Sequence, residues 1–266
     1  MANKKYEETD IQAIATAIRE KTGAEDTYMV SNMASGVKEV CEAGKKAQYD
    51  EFWDSFYDPY GENVGLFSCS GWNVNTFFPK KDFDVGEECF RRHNVNRYPY
   101  DLVARLNECG VKFLKVNPNQ TFVAAYVSTL PVLDMSAYSS TRMDRTFLSA
   151  KHLKSIELIK LGDNRTSDFN ATFNGCSVLE EIRFDGVIPN SIDFSPCPLS
   201  VASLKNIIEH LKDYAENTAN HYKYTVTFKT SAFDVLEAEG ATAEYNGVAC
   251  TWVELIDNKK WNLVKA

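Results

Sequence analysis

The chain of 266 residues is 44% hydrophobic and 25% charged, an ordinary globular composition that excludes intrinsic disorder and supplies apolar material for one or two domains. A formal net charge of -8 repels polyanions, and no block of Lys and Arg reverses it locally, so nucleic acid is excluded as a partner class. No apolar stretch is long enough for a signal peptide or a bilayer span, so the chain is expected to act in the cytosol unless an assembly or lysis carries it out.

In chain order, Thr9 and Gln12 form a weak capping box, and Ile11, Ile14, Ala15 and Ile18 recur at helical spacing until Gly23. A second, longer helix is expected from about Ser31 to Phe56. Its seam runs through Val37, Val40 and Ala47, while Trp53 and Phe56 fall on another face. It reads either as a connecting helix that packs on the next domain or as an oligomerisation stalk. The expected division is a helical docking or oligomerisation segment over 1–57, a repeat region over 58–188 and a C-terminal α/β cap over 189–266.

The repeat region rests on two phrases that align without gaps, one beginning at Thr146-Phe147 and one at Thr172-Phe173, 26 positions apart. Leu153, Ile156 and Leu158 then stand at the offsets of Leu179, Ile182 and Phe184. The same three-point signature recurs more faintly as Leu130, Leu133, Met135 and as Val111, Leu114, Val116. Glu157, Glu181 and Arg183, interleaved with the apolar positions, are expected to face solvent. Stacked copies of such a unit share a core that no single copy can bury.

Beyond Pro189, Ser200 is placed to cap a helix with Leu204, Ile207, Ile208 and Leu211 on one face. Tyr224, Val226 and Phe228 alternate as a strand. Helices around 231–239 and 251–257 and a last strand at 261–264 complete the expected cap.

The phrases from Thr146 to Leu158 and from Thr172 to Phe184 resemble the irregular BspA-like leucine-rich repeats. Gly44 to Phe56 and Gly71 to Phe83 look like the lead-in of such proteins from gut Firmicutes and their phages, and Ile11 to Gly23 is similar to short helical modules that open many of those phages' tail and baseplate proteins. The resemblance implies an α/β fold: a short irregular leucine-rich-repeat solenoid, preceded by N-terminal helices and closed by the cap. It also implies a displayed adhesive or structural part rather than an enzyme. Cell-wall-anchored relatives carry export and anchoring signals that this chain lacks, so a tail- or baseplate-associated particle component is favoured over a bacterial surface or secreted adhesin. Expected partners are other particle proteins or a host-surface protein or glycan, with a homo-oligomer, trimeric by analogy, as a further possibility.

Chemistry-bearing patterns are sparse. Seven cysteines are scattered with no C-x-x-C, and the four histidines have no ligand partner at helical or hairpin spacing, so neither metal nor cofactor is expected. The chain contains no G-x-S-x-G elbow, P-loop or dinucleotide glycine fingerprint. The candidate binding surface is drawn instead from Tyr98 and Tyr100, which flank a proline, and from Arg142 and Arg145 between the repeats.

Overall fold

The computed structural model describes residue 16 and residues 82–92, 101–108, 110–138, 143–162, 168–240 and 242–266. The chain divides into two units, Met1–Phe56 and Tyr57–Ala266, and the elements below belong to the second. Both expected N-terminal helices lie outside the described residues except for Thr16, which is helical and exposed. No helix among the described residues is long and apolar enough to cross a membrane.

Strand β1 (Phe83–Val85) pairs in parallel with β2 (Phe113–Val116), and the short helix α1 (Leu102–Glu108) lies between them in sequence. Strands β3 (Thr129–Asp134), β4 (Ser155–Lys160) and β5 (Glu181–Asp185) form a parallel three-stranded sheet. A second parallel sheet follows, in the order β10-β7-β6, from β6 (Ile192–Phe194), β7 (Thr225–Phe228) and β10 (Asn262–Lys265). Its connections carry α2 (Val201–His210), α3 (Thr230–Ala238) and α4 (Trp252–Asn258), as parallel strands require. An antiparallel hairpin of β8 (Ala243–Tyr245) and β9 (Val248–Cys250) precedes α4.

This arrangement corrects the expected leucine-rich-repeat solenoid and its cap. Among the described residues the strands fall into four small separate sheets, none with more than three strands, and no closed solenoid forms; the fold is mixed α/β. The physical reason lies in the spacing of the buried phenylalanines. The three strands of the β3-β4-β5 sheet follow Phe122, Phe147 and Phe173, which are nearly evenly spaced. Between Phe90 and β2 the chain inserts α1, and after Phe173 the next ring of the stack, Phe194, lies within β6 itself rather than ahead of a strand.

Register differs from the gapless alignment as well. Ile156 pairs with Ile182 as expected, but an irregularity in β4 then sets Ile159, not Leu158, opposite Phe184. Leu130 faces Ile156 and Leu133 faces Ile159, so Leu130 matches the second member of the signature; fully buried Val127 takes the first place. Leu114 is 46% exposed, and Val111, Phe113 and Val116 are the residues that turn inward.

The core is a row of rings. Phe90, Phe122, Phe147, Phe173 and Phe194 stack in succession with centroids 5.4, 5.6, 5.3 and 4.7 Å apart, and Phe228 and Phe233 extend the row at 6.1 and 5.4 Å. The first four rings each sit between two residues of positive φ: Glu88 and Arg92, Gln120 and Ala124, Arg145 and Ser149, Ala171 and Gly175. This backbone aims alternate N–H groups at the next turn. Glu88, Phe90 and Arg92 donate to the carbonyls of Asn119, Thr121 and Val123, and Arg145, Phe147 and Ser149 to those of Asn170, Thr172 and Asn174. The buried threonine before the ring completes the turn. Thr172 Oγ1 lies 2.7 Å from the Met143 carbonyl and 2.8 Å from that of Phe169, which satisfies a hydroxyl that burial would otherwise penalise.

Helix α2 closes the free edge of the β3-β4-β5 sheet. Ser200 caps it by accepting from the Ser203 N–H, and Leu204, Ile207 and Ile208 are buried. Ser203 and Asn206, one helical turn apart, face β5: Ser203 Oγ accepts from the Ile182 N–H at 2.9 Å, and Asn206 Oδ1 accepts from the Phe184 N–H at 2.6 Å. These bonds satisfy donors that would otherwise offer an open template for another strand.

Candidate binding groove

Buried Phe169 and Phe173 anchor the turn 168–174 and leave Asp168, Asn170 and Asn174 exposed. Asp168 Oδ1 accepts from the Asn170 N–H at 2.8 Å, an Asx turn that fixes the carboxylate. In β6 the period of two sends Ile192 and Phe194 inward and Asp193 outward. Asp193 Oδ1 accepts from the Ser195 N–H at 2.7 Å, and Ser191 Oγ accepts from the Thr225 N–H at 3.0 Å. Thr227 stands beside Asp193 in the parallel register, and Thr225 and Thr227 are half-buried.

These segments enclose a groove of about 420 Å³, lined by Asp168, Asn170, Asn174, Asp193, Thr225 and Thr227, with Ser191, Phe169, Ala171 and Ile192 completing the wall. The groove opens where the stacking of turns stops. By the pattern of the preceding turns, the N–H groups of Ala171, Phe173 and Gly175 would meet carbonyls near Ser191 and Asp193, but these bonds are not formed among the described residues, and β6 pairs with β7 on its other edge. The side-chain stack continues, with Phe173 and Phe194 at 4.7 Å, so the core stays closed while the main chains separate. The lining combines acceptors and donors and includes no Lys, Arg, His or Cys.

Other reactive groups are committed elsewhere. Cys89, Cys176 and Cys197 are buried; burial pushes the Cys176 thiol up to about 12 and raises that of Cys197, which removes these two as thiolate nucleophiles near neutral pH. Cys176 Sγ donates to the Phe147 carbonyl at 3.1 Å. Burial pushes Lys259 down to about 8, and its Nζ donates to the carbonyls of Ile208, Glu209 and Leu211 at the C-terminal end of α2. His152 packs against Tyr126 at 4.4 Å, while the His210 and His221 rings bond to the carbonyls of Asn206 and Ala215. Among the described residues, no group of His, Cys, Asp and Glu is arranged to hold a metal ion.

Of the surface residues expected from sequence, Arg145 is exposed and occupies a left-handed position before Phe147, where its N–H donates to the Asn170 carbonyl; it does not line the groove. Tyr98, Tyr100 and Arg142 lie outside the described residues, as do Val37, Val40, Ala47, Trp53 and Phe56. The sequence reading missed the groove. Its local signals were the Asp168-x-Asn170 turn and the polar positions alternating with Ile192, Phe194, Val226 and Phe228. No known protein family, characterised protein or solved structure matches the chain.

Proposed function

We propose that the chain is a non-catalytic component of a phage or prophage particle, associated with the tail or baseplate, that presents a rigid surface to a binding partner. The observation that carries the binding part of this reading is the groove, where Asp168, Asp193 and Ser191 are fixed by main-chain hydrogen bonds on a ring-stacked core. Groups held in place before a partner arrives lose little conformational entropy on binding. The particle assignment is supported by the likeness of Ile11–Gly23 to short helical modules that open phage tail and baseplate proteins, and of Gly44–Phe56 and Gly71–Phe83 to the lead-in of BspA-like proteins from gut Firmicutes and their phages.

The test is quantitative mass spectrometry of particles purified on a density gradient from cells that carry the gene. The expected result is that the chain bands with tail proteins at a fixed ratio. Recovery only in the particle-free fraction, or on the surface of cells that release no particles, overturns the assignment, and the second outcome selects the adhesin reading.

A further inference from the structure

We propose that the groove between the turn 168–174 and strands β6 and β7 binds a neutral oligosaccharide; this names the ligand class for the presenting role above and rests on that reading. The first argument is the match of donors and acceptors. A sugar hydroxyl both donates and accepts, so a site for several of them needs both kinds of group close together. The groove supplies two carboxylates that only accept, two carboxamides that do both, and threonine hydroxyls that do both.

The second argument is fixation. Asp168 and Asp193 each spend Oδ1 on a main-chain N–H and have no other partner among the described residues at Oδ2. Asn170 and Asn174 carry exposed carboxamides without an internal partner among the described residues. The carboxylates are therefore held in place, and the carboxamides stand on a turn anchored by buried Phe169 and Phe173. The volume of about 420 Å³ falls within the roughly 300–1,000 Å³ range of small-molecule sites.

Competing ligand classes fit less well. An anion meets two carboxylates and no cation. A cationic side chain would answer the carboxylates but leave the carboxamide and hydroxyl donors without acceptors. An extended peptide would have to pair with the main-chain donors of the turn, and the middle one belongs to Phe173, which is 0% exposed. An apolar ligand finds Phe169 and Ile192 only 1% and 2% exposed.

The experiment uses the full chain. It is first tested on immobilised neutral di-, tri- and tetrasaccharides of hexoses and N-acetylhexosamines, beside sialylated and sulfated glycans and an oligolysine peptide. The best neutral glycan is then titrated by calorimetry against Asn174→Ala, Asp193→Asn and the outlying control Glu157→Gln. The expected result is binding of a neutral glycan that Asn174→Ala and Asp193→Asn each weaken at least tenfold, with unchanged melting midpoints, while the control binds normally. Asn174 is exposed, so its variant keeps the test valid if Asp193→Asn lowers stability. Absence of neutral-glycan binding up to millimolar concentration, preference for oligolysine or acidic glycans, or binding indifferent to both groove variants overturns the proposal. A chain that binds the glycan but is missing from particles refutes the particle role alone. A particle-borne chain that binds none refutes the groove assignment alone.

Discussion

Lys259 does in this chain what a terminal glycine or a water does at many helix ends. The last carbonyls of a helix have no internal partner, and a cation near them is favoured by the helix dipole. Its ammonium reaches three carbonyls at the end of α2 at 3.1, 2.6 and 3.0 Å. Lys259→Met removes these bonds, and among the described residues only the Ile208 carbonyl keeps a second donor, the Leu211 N–H, so a loss of about 1–3 kcal/mol is expected in urea unfolding at pH 7, hydrogen bonding outweighing relief of the buried charge. The same residue sets a pH dependence. Between about 8 and the ordinary 10.5 the folded chain holds fewer protons at this site than the unfolded one, so stability rises with pH across that window. Urea midpoints measured from pH 7.5 to 10.5 should show this increment in the parent and lack it in Lys259→Met.

Two glycines show how close backbone approach is used. At Gly186, φ is +99° and a Cβ would lie 2.2 Å from the Leu161 carbonyl oxygen, so only glycine lets β5 end against the preceding turn. Asn246 and Gly247 both have positive φ and turn β8 into β9, the two-residue hairpin that an Asn-Gly pair favours. The Asn246-Gly247 pair is a hairpin signal carried by the sequence that the expected cap lacks.

At the scale of elements, the meeting of α2 with β5 matters most. A helix normally covers a sheet face with apolar side chains, whereas α2 also turns Ser203 and Asn206 to the strand edge and replaces a neighbouring strand's hydrogen bonds. Asn206→Leu keeps the approximate size of the side chain but leaves the Phe184 N–H without its acceptor. A destabilisation of about 1–3 kcal/mol is expected by thermal unfolding. Deuterium exchange at Phe184 should also accelerate, and unchanged exchange there would show that the edge is satisfied another way. Helix α4 illustrates a complementary local device: Thr251 Oγ1 accepts from the Glu254 N–H at 3.1 Å, and Glu254 Oε2 accepts from the Thr251 N–H at 2.7 Å. Hydrogen bonding to the carboxyl from the Thr251 N–H first, and from its side chain, lowers the Glu254 carboxyl below its ordinary range.

Across the second unit, the ring row from Phe90 to Phe233 passes from one three-stranded sheet to the other without a gap. A continuous core of this kind couples the two sheets. Phe147→Ala, in the middle of the row, is expected to cost about 3–5 kcal/mol. It should lower the unfolding midpoint equally for far-UV circular dichroism and for the fluorescence of Trp252 and Trp261, recorded with Trp53 and Trp72 replaced by Phe. Separation of the two curves would show that the sheets unfold independently.

Local signals in the sequence determined the helices at 201–210, 230–238 and 252–258, the strands at 225–228 and 262–265, and the inward residues of β4 and β5 apart from one shifted position. Apolar periodicity and capping residues act within a few positions, so these elements are written where they form. Tertiary structure alone decided how strands were shared among sheets. Pairing joins segments far apart in the chain, and β6 takes β7 as its partner while its Phe194 stacks on Phe173. The groove follows from that choice, because its wall comes from 168–174 and its floor from strands paired across a helical connection. No periodicity within either segment records that they meet.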